Sequence, residues 1–176
     1  MADLPYSDSE LLSSFLLELY GGDPFAHVYT ASNEHREAHG PDCGVYPSEP
    51  VKMRLLAGIT RAAGATRILE IGCGLGYSAL WLAEAAGPDG LVETIDRFPE
   101  HTDLARRYVE EAGLGPRVRV LTGEGADILR ALAGAGLDDE RGGGGHAHGS
   151  LTARASQAGL IRKETWSAGW ASSRSA

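Results

Sequence analysis

Cysteine is scarce in this 176-residue chain: Cys43 and Cys73 are the only two, and neither belongs to a C-x-x-C pair. Their spacing excludes a recognisable zinc or dithiol motif, and reduced thiols are expected rather than a disulfide. Long apolar runs are missing too. No window approaches 18 consecutive apolar residues, which excludes a transmembrane helix and leaves no expectation of a membrane partner. The first residues, Met1-Ala2-Asp3-Leu4-Pro5, lack the basic start and apolar core of a signal peptide, so a cytoplasmic setting is expected. No basic stripe appears either, and the formal net charge is −8. Such a chain repels phosphate backbones, so nucleic acid is not an expected partner.

The last shortage is regional. Residues 138–176 contain no Val, Phe or Tyr, and Gly, Ala and Ser fill 20 of their 39 positions. The charge divides as well: residues 1–60 hold 9 acids and 3 bases, whereas residues 138–176 hold 4 and 5. The length suits one domain, and the composition places its core within residues 1–137.

What is present has a clear grammar from residue 67 onward. Before it, Leu11, Leu12, Phe15, Leu16 and Leu19 recur with a helical period that Gly21-Gly22-Asp23-Pro24 ends. The stretch from Gly40-Pro41 to Glu49-Pro50 reads as an ordered loop. Val51 to Ala63 reads as a helix with Met53, Leu55, Leu56 and Ile59 as its apolar positions. Arg67 to Ile71 then has the apolar run of a strand buried on both faces. Gly72 to Gly76 is a glycine-rich turn, followed by a helix over Tyr77 to Ala86. Leu91 to Asp96 predicts a second strand, Pro99 to Ala112 a helix, Val118 to Thr122 a third strand, and Ala126 to Ala133 another helix. Alternating strands and helices imply right-handed crossovers and a parallel sheet. The expected fold is α/β, the N-terminal half of a Rossmann-like doubly wound sheet with strand order 3-2-1 and a helical N-terminal lead.

The loop Glu70-Ile71-Gly72-Cys73-Gly74-Leu75-Gly76-Tyr77-Ser78 falls where such folds bind ligands, outside the carboxyl end of the first strand. Glycines there permit close approach and positive φ, and the following helix offers free N–H groups to an anion or carboxylate. A dinucleotide fingerprint, G-x-G-x-x-G, would need glycine at position 77, which is Tyr77. Asp96 closes the second strand, where a carboxylate accepts the two hydroxyls of a ribose. That geometry serves both nicotinamide dinucleotides and S-adenosylmethionine.

The run from Ile68 through Gly72-Cys73-Gly74-Leu75-Gly76-Tyr77-Ser78 to Ala83 resembles the first motif of class I S-adenosylmethionine-dependent methyltransferases. Within them it is similar to the O-methyltransferase branch that includes catechol and caffeoyl-CoA O-methyltransferases. The likeness continues through Thr94-Ile95-Asp96, Ala105-Arg106-Arg107-Tyr108, Ala112-Gly113-Leu114 and Arg117-Val118-Arg119-Val120 to Gly123-Glu124-Gly125-Ala126-Asp127-Ile128-Leu129. Upstream it takes in Gly44-Val45-Tyr46-Pro47-Ser48-Glu49, although Pro50 stands where the family commonly has glycine. The resemblance implies that Gly72 and Gly74 line the methionine part of S-adenosylmethionine, with Glu70 near its ammonium and Ser78 at its carboxylate, and that Gly76 belongs to the same cofactor-binding loop. It implies that Asp96 holds the ribose, that Arg97, Glu124, Gly125 and Ala126 border the adenine, and that Val45 covers the methionine from outside. The implied partner is a small-molecule hydroxyl acceptor, and a homodimer is left open.

Members of the family that use a divalent cation have a fourth strand ending in a metal-binding Asp, followed by a lysine. Nothing after Leu137 matches that pattern, so no metal ligand and no catalytic base are assigned. Asp138-Asp139-Glu140, His146 and His148 read as solvated residues, and Lys163 lies in a dissimilar segment. The expected organisation is a lead and cofactor-covering loop over 1–66, a cofactor-binding half-domain over 67–137, and a Gly/Ala/Ser-rich tail over 138–176. The abrupt change at 138 suggests a truncated domain with a tail read in a shifted frame. The leading functional expectation is methyl transfer to oxygen. The alternatives are a non-catalytic S-adenosylmethionine-binding fragment and an NAD-binding oxidoreductase fragment.

Overall fold

A computed structural model describes residues 21–131 together with Leu11, Phe15, Glu18 and Leu19. The chain divides into two compact units, one running to Gly125 and the other starting at Ala126. The first contains a parallel sheet of β1 (Arg67–Ile71), β2 (Leu91–Asp96) and β3 (Val118–Thr122), with β2 in the centre. This is the predicted order, and all three strands keep their predicted ends. Ile71 pairs with Ile95, and Asp96 with Thr122, so the strands finish together at one edge.

Among the described residues of this unit, the sheet is accompanied by helices α1 (Ala26–His39), α2 (Pro50–Ala62), α3 (Tyr77–Ala86) and α4 (Pro99–Glu111). Helix α3 has Tyr77, Ala79, Leu80, Trp81, Leu82, Ala83 and Ala85 buried, which explains why its sequence is apolar on nearly every side. It packs against α2 and against β2. Its C-terminal carbonyls are met by Arg117, whose guanidinium donates to Ala83 O at 3.2 Å and to Gly87 O at 2.9 Å. Helix α4 packs on β3 and β2, burying His101, Thr102, Ala105 and Val109 along one face.

Two expectations are corrected, and one helix is added. The first concerns β1, which is not buried on both faces: Leu69 is 37% exposed and Ile71 50%. Among the described residues β1 pairs with β2 alone, so its apolar side chains have a neighbouring strand on one side only. Helix α1 has no counterpart in the sequence pattern. Only Val28 and Ser32 of its residues are buried, too thin a stripe to register as a period. Helix α2 is present with Met53 buried as predicted, but its other three apolar positions face away from the core. It buries Met53, Ala57 and Thr60, while Leu55, Leu56 and Ile59 are exposed. Pro50 takes its first turn, where the fixed φ is suited and the missing N–H removes no helical bond.

The remaining expectations fare unevenly. Leu11, Phe15 and Leu19 are helical, as their spacing predicts. The loop from Gly40 to Pro50 includes a 3-10 turn at Pro41–Cys43. Residues 125–131 are helical, one residue earlier than predicted. Cys43 and Cys73 are both free thiols. No helix among the described residues is long and apolar enough to cross a membrane. Leu12, Leu16 and everything read from residues 138–176 lie outside the described residues.

Candidate functional site

The glycine-rich turn leaves β1 and folds back over the end of β2. Gly72 N–H and Cys73 N–H both donate to Ile95 O, at 2.7 and 3.2 Å, and Gly76 N–H donates to Cys73 O at 2.8 Å. Gly74 N–H is directed to Asp96 Oδ2 at 3.0 Å. These bonds decide what the loop can offer. With the N–H groups of Gly72, Cys73, Gly74 and Gly76 engaged inside the protein, the loop presents no continuous row of donors to a pyrophosphate. The free donors belong instead to the first turn of α3, around Tyr77 and Ser78.

All three glycines of the turn, Gly72 at φ +87° included, have positive φ, and two of them also face a neighbouring side chain. Gly74 has φ +49° and passes beneath Val45, whose Cγ1 would lie 3.6 Å from an added Cβ. Gly76, at φ +90°, lies against α4, where an added Cβ would come within 3.2 Å of Ala105 Cβ. Gly76 lines neither cavity described below, so the structure gives it a packing task.

Asp96 closes β2 with its carboxylate fixed from two directions. Oδ2 accepts from Gly74 N–H, and Oδ1 accepts from Phe98 N–H at 3.0 Å. The adjoining end of β3 is tied down by Arg106, which donates to Val120 O at 3.1 Å and to Thr122 Oγ1 at 2.9 Å. Thr122 Oγ1 lies 2.7 Å from Thr102 Oγ1, so α4 anchors this rim of the site.

Glu70, near the end of β1, is held differently. Thr94 Oγ1 donates to its Oε2 at 2.5 Å. Burial pushes the Glu70 carboxyl above its ordinary range, while hydrogen bonds from Ser78 and Thr94 pull the other way. Burial likewise raises the Cys73 thiol, helped by the charges of Asp96 and Glu70. Cys73 is therefore an inert thiol and not a nucleophile.

Two cavities open along the strand ends. One, of about 240 Å³, is lined by Gly72, Asp96, Arg97, Phe98, Glu124 and Gly125, among others. The other, of about 110 Å³, is lined by Ser32, Val45, Gly72, Gly74, Tyr77 and Ser78, among others. Gly44 and Gly72 belong to both. The sequence-predicted residues thus separate into two groups along one surface. Asp96, Arg97, Glu124 and Gly125 lie on the larger cavity, and Val45, Gly74 and Ser78 on the smaller. Glu70 lines neither, although it reaches the second group through Ser78. Ala126 lies in the second unit, on the helical residues 125–131.

Two features were missed in the sequence. Tyr77 O–H donates to Asp23 Oδ2 at 2.7 Å, and Phe25 N–H donates to Asp23 Oδ1 at 2.8 Å, tying the entry of α1 to the start of α3. Burial and the Asp23 contact both push the Tyr77 hydroxyl up, which keeps it a neutral donor. His101 is buried behind Asp96, with Nδ1 3.4 Å from Oδ1. Its only sequence signal is its place five residues after a strand-closing acid, in the first turn of a helix. No group of three His, Cys, Asp or Glu side chains able to hold a metal ion occurs among the described residues.

Comparisons with known proteins agree with this arrangement. Residues 41–140 match the O-methyltransferase family. A catechol O-methyltransferase of Mycobacterium tuberculosis is 38% identical over 120 residues, which are 68% of this chain and 52% of that protein. The chain therefore spans about half the length of the curated relatives it matches. Among solved structures, an O-methyltransferase from Bacillus cereus in complex with SAH superposes with a TM-score of 0.59 at 27% identity, covering 70% of this chain and 55% of that one. The O-methyltransferase TomG from Streptomyces achromogenes, in complex with SAM, gives 0.52 at 38% identity over 60% and 46%. With its parallel sheet, its glycine-rich turn and the acid closing β2, the chain belongs to the O-methyltransferase family.

Proposed function

We propose that the chain binds S-adenosylmethionine across the two adjoining cavities and that the protein's activity is methyl transfer to an oxygen of a small hydroxyl compound. The observation that carries this reading is Asp96: its two backbone hydrogen bonds leave one lone-pair position on each oxygen, on the wall of the larger cavity. A vicinal diol needs that pattern. Arg97, Glu124 and Gly125 then border the adenine, and the smaller cavity receives the amino-acid end. There Ser78 and the first turn of α3 meet the carboxylate, Glu70 balances the ammonium, and Val45 covers the chain. When bound, S-adenosylmethionine supplies an electrophilic methyl on sulfur; the residues named here bind and orient it.

The same loop bonds favour this reading over an NAD-binding oxidoreductase, because a dinucleotide's pyrophosphate would find few free N–H groups between Gly72 and Gly76. Gly76 is proposed to act on the cofactor only by fixing α3 against α4. No described residue is proposed as general base or cation ligand. Calorimetry with S-adenosylmethionine, S-adenosylhomocysteine and NAD, beside a methyl-transfer assay on a catechol, tests the reading. Binding of the first two and not of NAD is expected. Preference for NAD would overturn it, and binding without turnover would assign the chain to a non-catalytic cofactor-binding role.

A further inference from the structure

One residue on the smaller cavity comes from outside the glycine-rich turn and its covering loop. Ser32, on α1, lines that cavity together with Val45, Gly74 and Ser78. Helix α1 precedes residues 41–140, the stretch that matches the family, so the match gives Ser32 no role. The residue is 1% exposed, and Val28, one turn earlier, is the other buried residue of the helix. Ser32 Oγ donates to Val28 O at 2.8 Å. A carbonyl cannot donate, so the direction of that bond is fixed and the single hydroxyl hydrogen is spent. No described residue donates to Oγ in return. What Ser32 can offer a ligand is therefore an oxygen with lone pairs and no hydrogen. Such an oxygen attracts an ammonium and repels a carboxylate. Glu70 does not serve as the direct acceptor. It lines neither cavity, and its carboxyl already takes hydrogen bonds from Thr94 and Ser78. Its charge balances an ammonium through the protein without receiving the hydrogens.

We propose that Ser32 is the direct hydrogen-bond acceptor for the ammonium at the amino-acid end of the cofactor. The smaller cavity then tells the two ends of a zwitterion apart. The first turn of α3 supplies donors, which take the carboxylate, and α1 supplies an acceptor, which takes the nitrogen. The bond to Val28 O keeps the hydroxyl from rotating to donate instead, and burial keeps water from competing for it. This inference rests on the S-adenosylmethionine reading and extends it to a helix outside the matched stretch.

The experiment compares S-adenosylhomocysteine with its deamino analogue, which keeps the carboxylate and lacks the ammonium, on the full chain by calorimetry. Ser32→Ala removes the oxygen, adds no bulk and suits a helix better than serine does. It is expected to weaken S-adenosylhomocysteine roughly tenfold, the scale of a lost hydrogen bond to a charged group. The deamino analogue is expected to bind Ser32→Ala and the unaltered chain equally. Ser32→Cys, whose sulfur is a weak acceptor, is expected to behave as the alanine variant does and replaces it if that variant does not fold. A purely structural role for Ser32 would weaken both ligands together. That result, or an unchanged affinity for S-adenosylhomocysteine, would overturn the inference. Equal binding of the two ligands by the unaltered chain would also overturn it, while leaving the cofactor reading in place. Failure of the unaltered chain to bind S-adenosylhomocysteine would overturn the cofactor reading itself and the role of Ser32 with it.

Discussion

β1 and β2 are neighbours of nearly equal length, each with an acid at or next to its end, and they meet opposite fates. Ile71 and Ile95 are register partners of the same residue type. Ile95 is 1% exposed and Ile71 is 50% exposed. Glu70 is satisfied by side-chain hydroxyls and carries a raised carboxyl, whereas Asp96 is held by two backbone N–H groups. Residue type therefore does not decide burial in a parallel sheet; the number of neighbouring strands does. Nor does an acid at a strand end make a ligand site, since what matters is which donors already occupy its lone pairs.

The pair Ile71 and Ile95 gives the sharpest way to break this contrast. Ile95→Ala is expected to destabilise the fold by about 3 kcal/mol, the usual cost of emptying a filled apolar site. Ile71→Ala is expected to cost less than about 1 kcal/mol, because much of its side chain is already in water. Urea denaturation of the two variants measures the difference, and equal losses would mean that β1 is covered in solution. The acids come next. Asp96→Ala is expected to weaken S-adenosylhomocysteine about a hundredfold, as two hydrogen bonds to a charged group are lost, and calorimetry reads it directly.

Gly76→Ala probes the packing role in the turn. An alanine there must adopt positive φ and press on Ala105, so a loss of about 2 kcal/mol in stability is expected, read by thermal melting. Cofactor affinity in the folded fraction is expected to stay close to that of the unaltered chain. The smallest effect belongs to Glu70→Gln. The folded chain holds the Glu70 proton more tightly than the unfolded chain does. The group therefore favours folding most below the ordinary carboxyl range, and this contribution is lost as pH rises through the raised value. Melting curves at pH 5 and pH 8 are expected to show Glu70→Gln gaining on the unaltered chain as pH rises, while its affinity for S-adenosylmethionine falls by roughly fivefold through loss of the ammonium's counter-charge.

The parts of this molecule legible in the sequence are those whose physics is local. Three apolar runs bounded by glycine, proline and turn residues gave β1, β2 and β3 with their ends, and G-x-G-x-G between a strand and a helix located the loop. The rest depends on tertiary partners. Helix α1 hides because a sequence such as Thr30-Ala31-Ser32-Asn33 has little helical preference and buries one narrow edge. Helix α2 is only partly legible because, Met53 apart, its large apolar residues Leu55, Leu56 and Ile59 are exposed and the remaining buried positions, Ala57 and Thr60, are small. The bond between Tyr77 and Asp23 joins residues 54 positions apart, which no spacing rule could link. His101 was passed over because nothing about a histidine in a first helical turn reveals the carboxylate beside it. Among the cofactor-site expectations, Asp96, Arg97, Glu124, Gly125, Val45, Gly74 and Ser78 lie on the cavity walls, while Gly76 owes its identity to Ala105.

The bond from two loop N–H groups to the single carbonyl of Ile95 has a thermodynamic consequence. Because the turn is closed by the sheet and not by a ligand, its conformational entropy is already lost when the chain folds. An arriving ligand then meets a surface that does not have to be ordered, and the entropy cost of association falls mainly on the ligand's own rotatable amino-acid end. Truncating that end should therefore cost less affinity than its count of lost contacts suggests, since the remaining nucleoside is rigid and docks on a rigid wall.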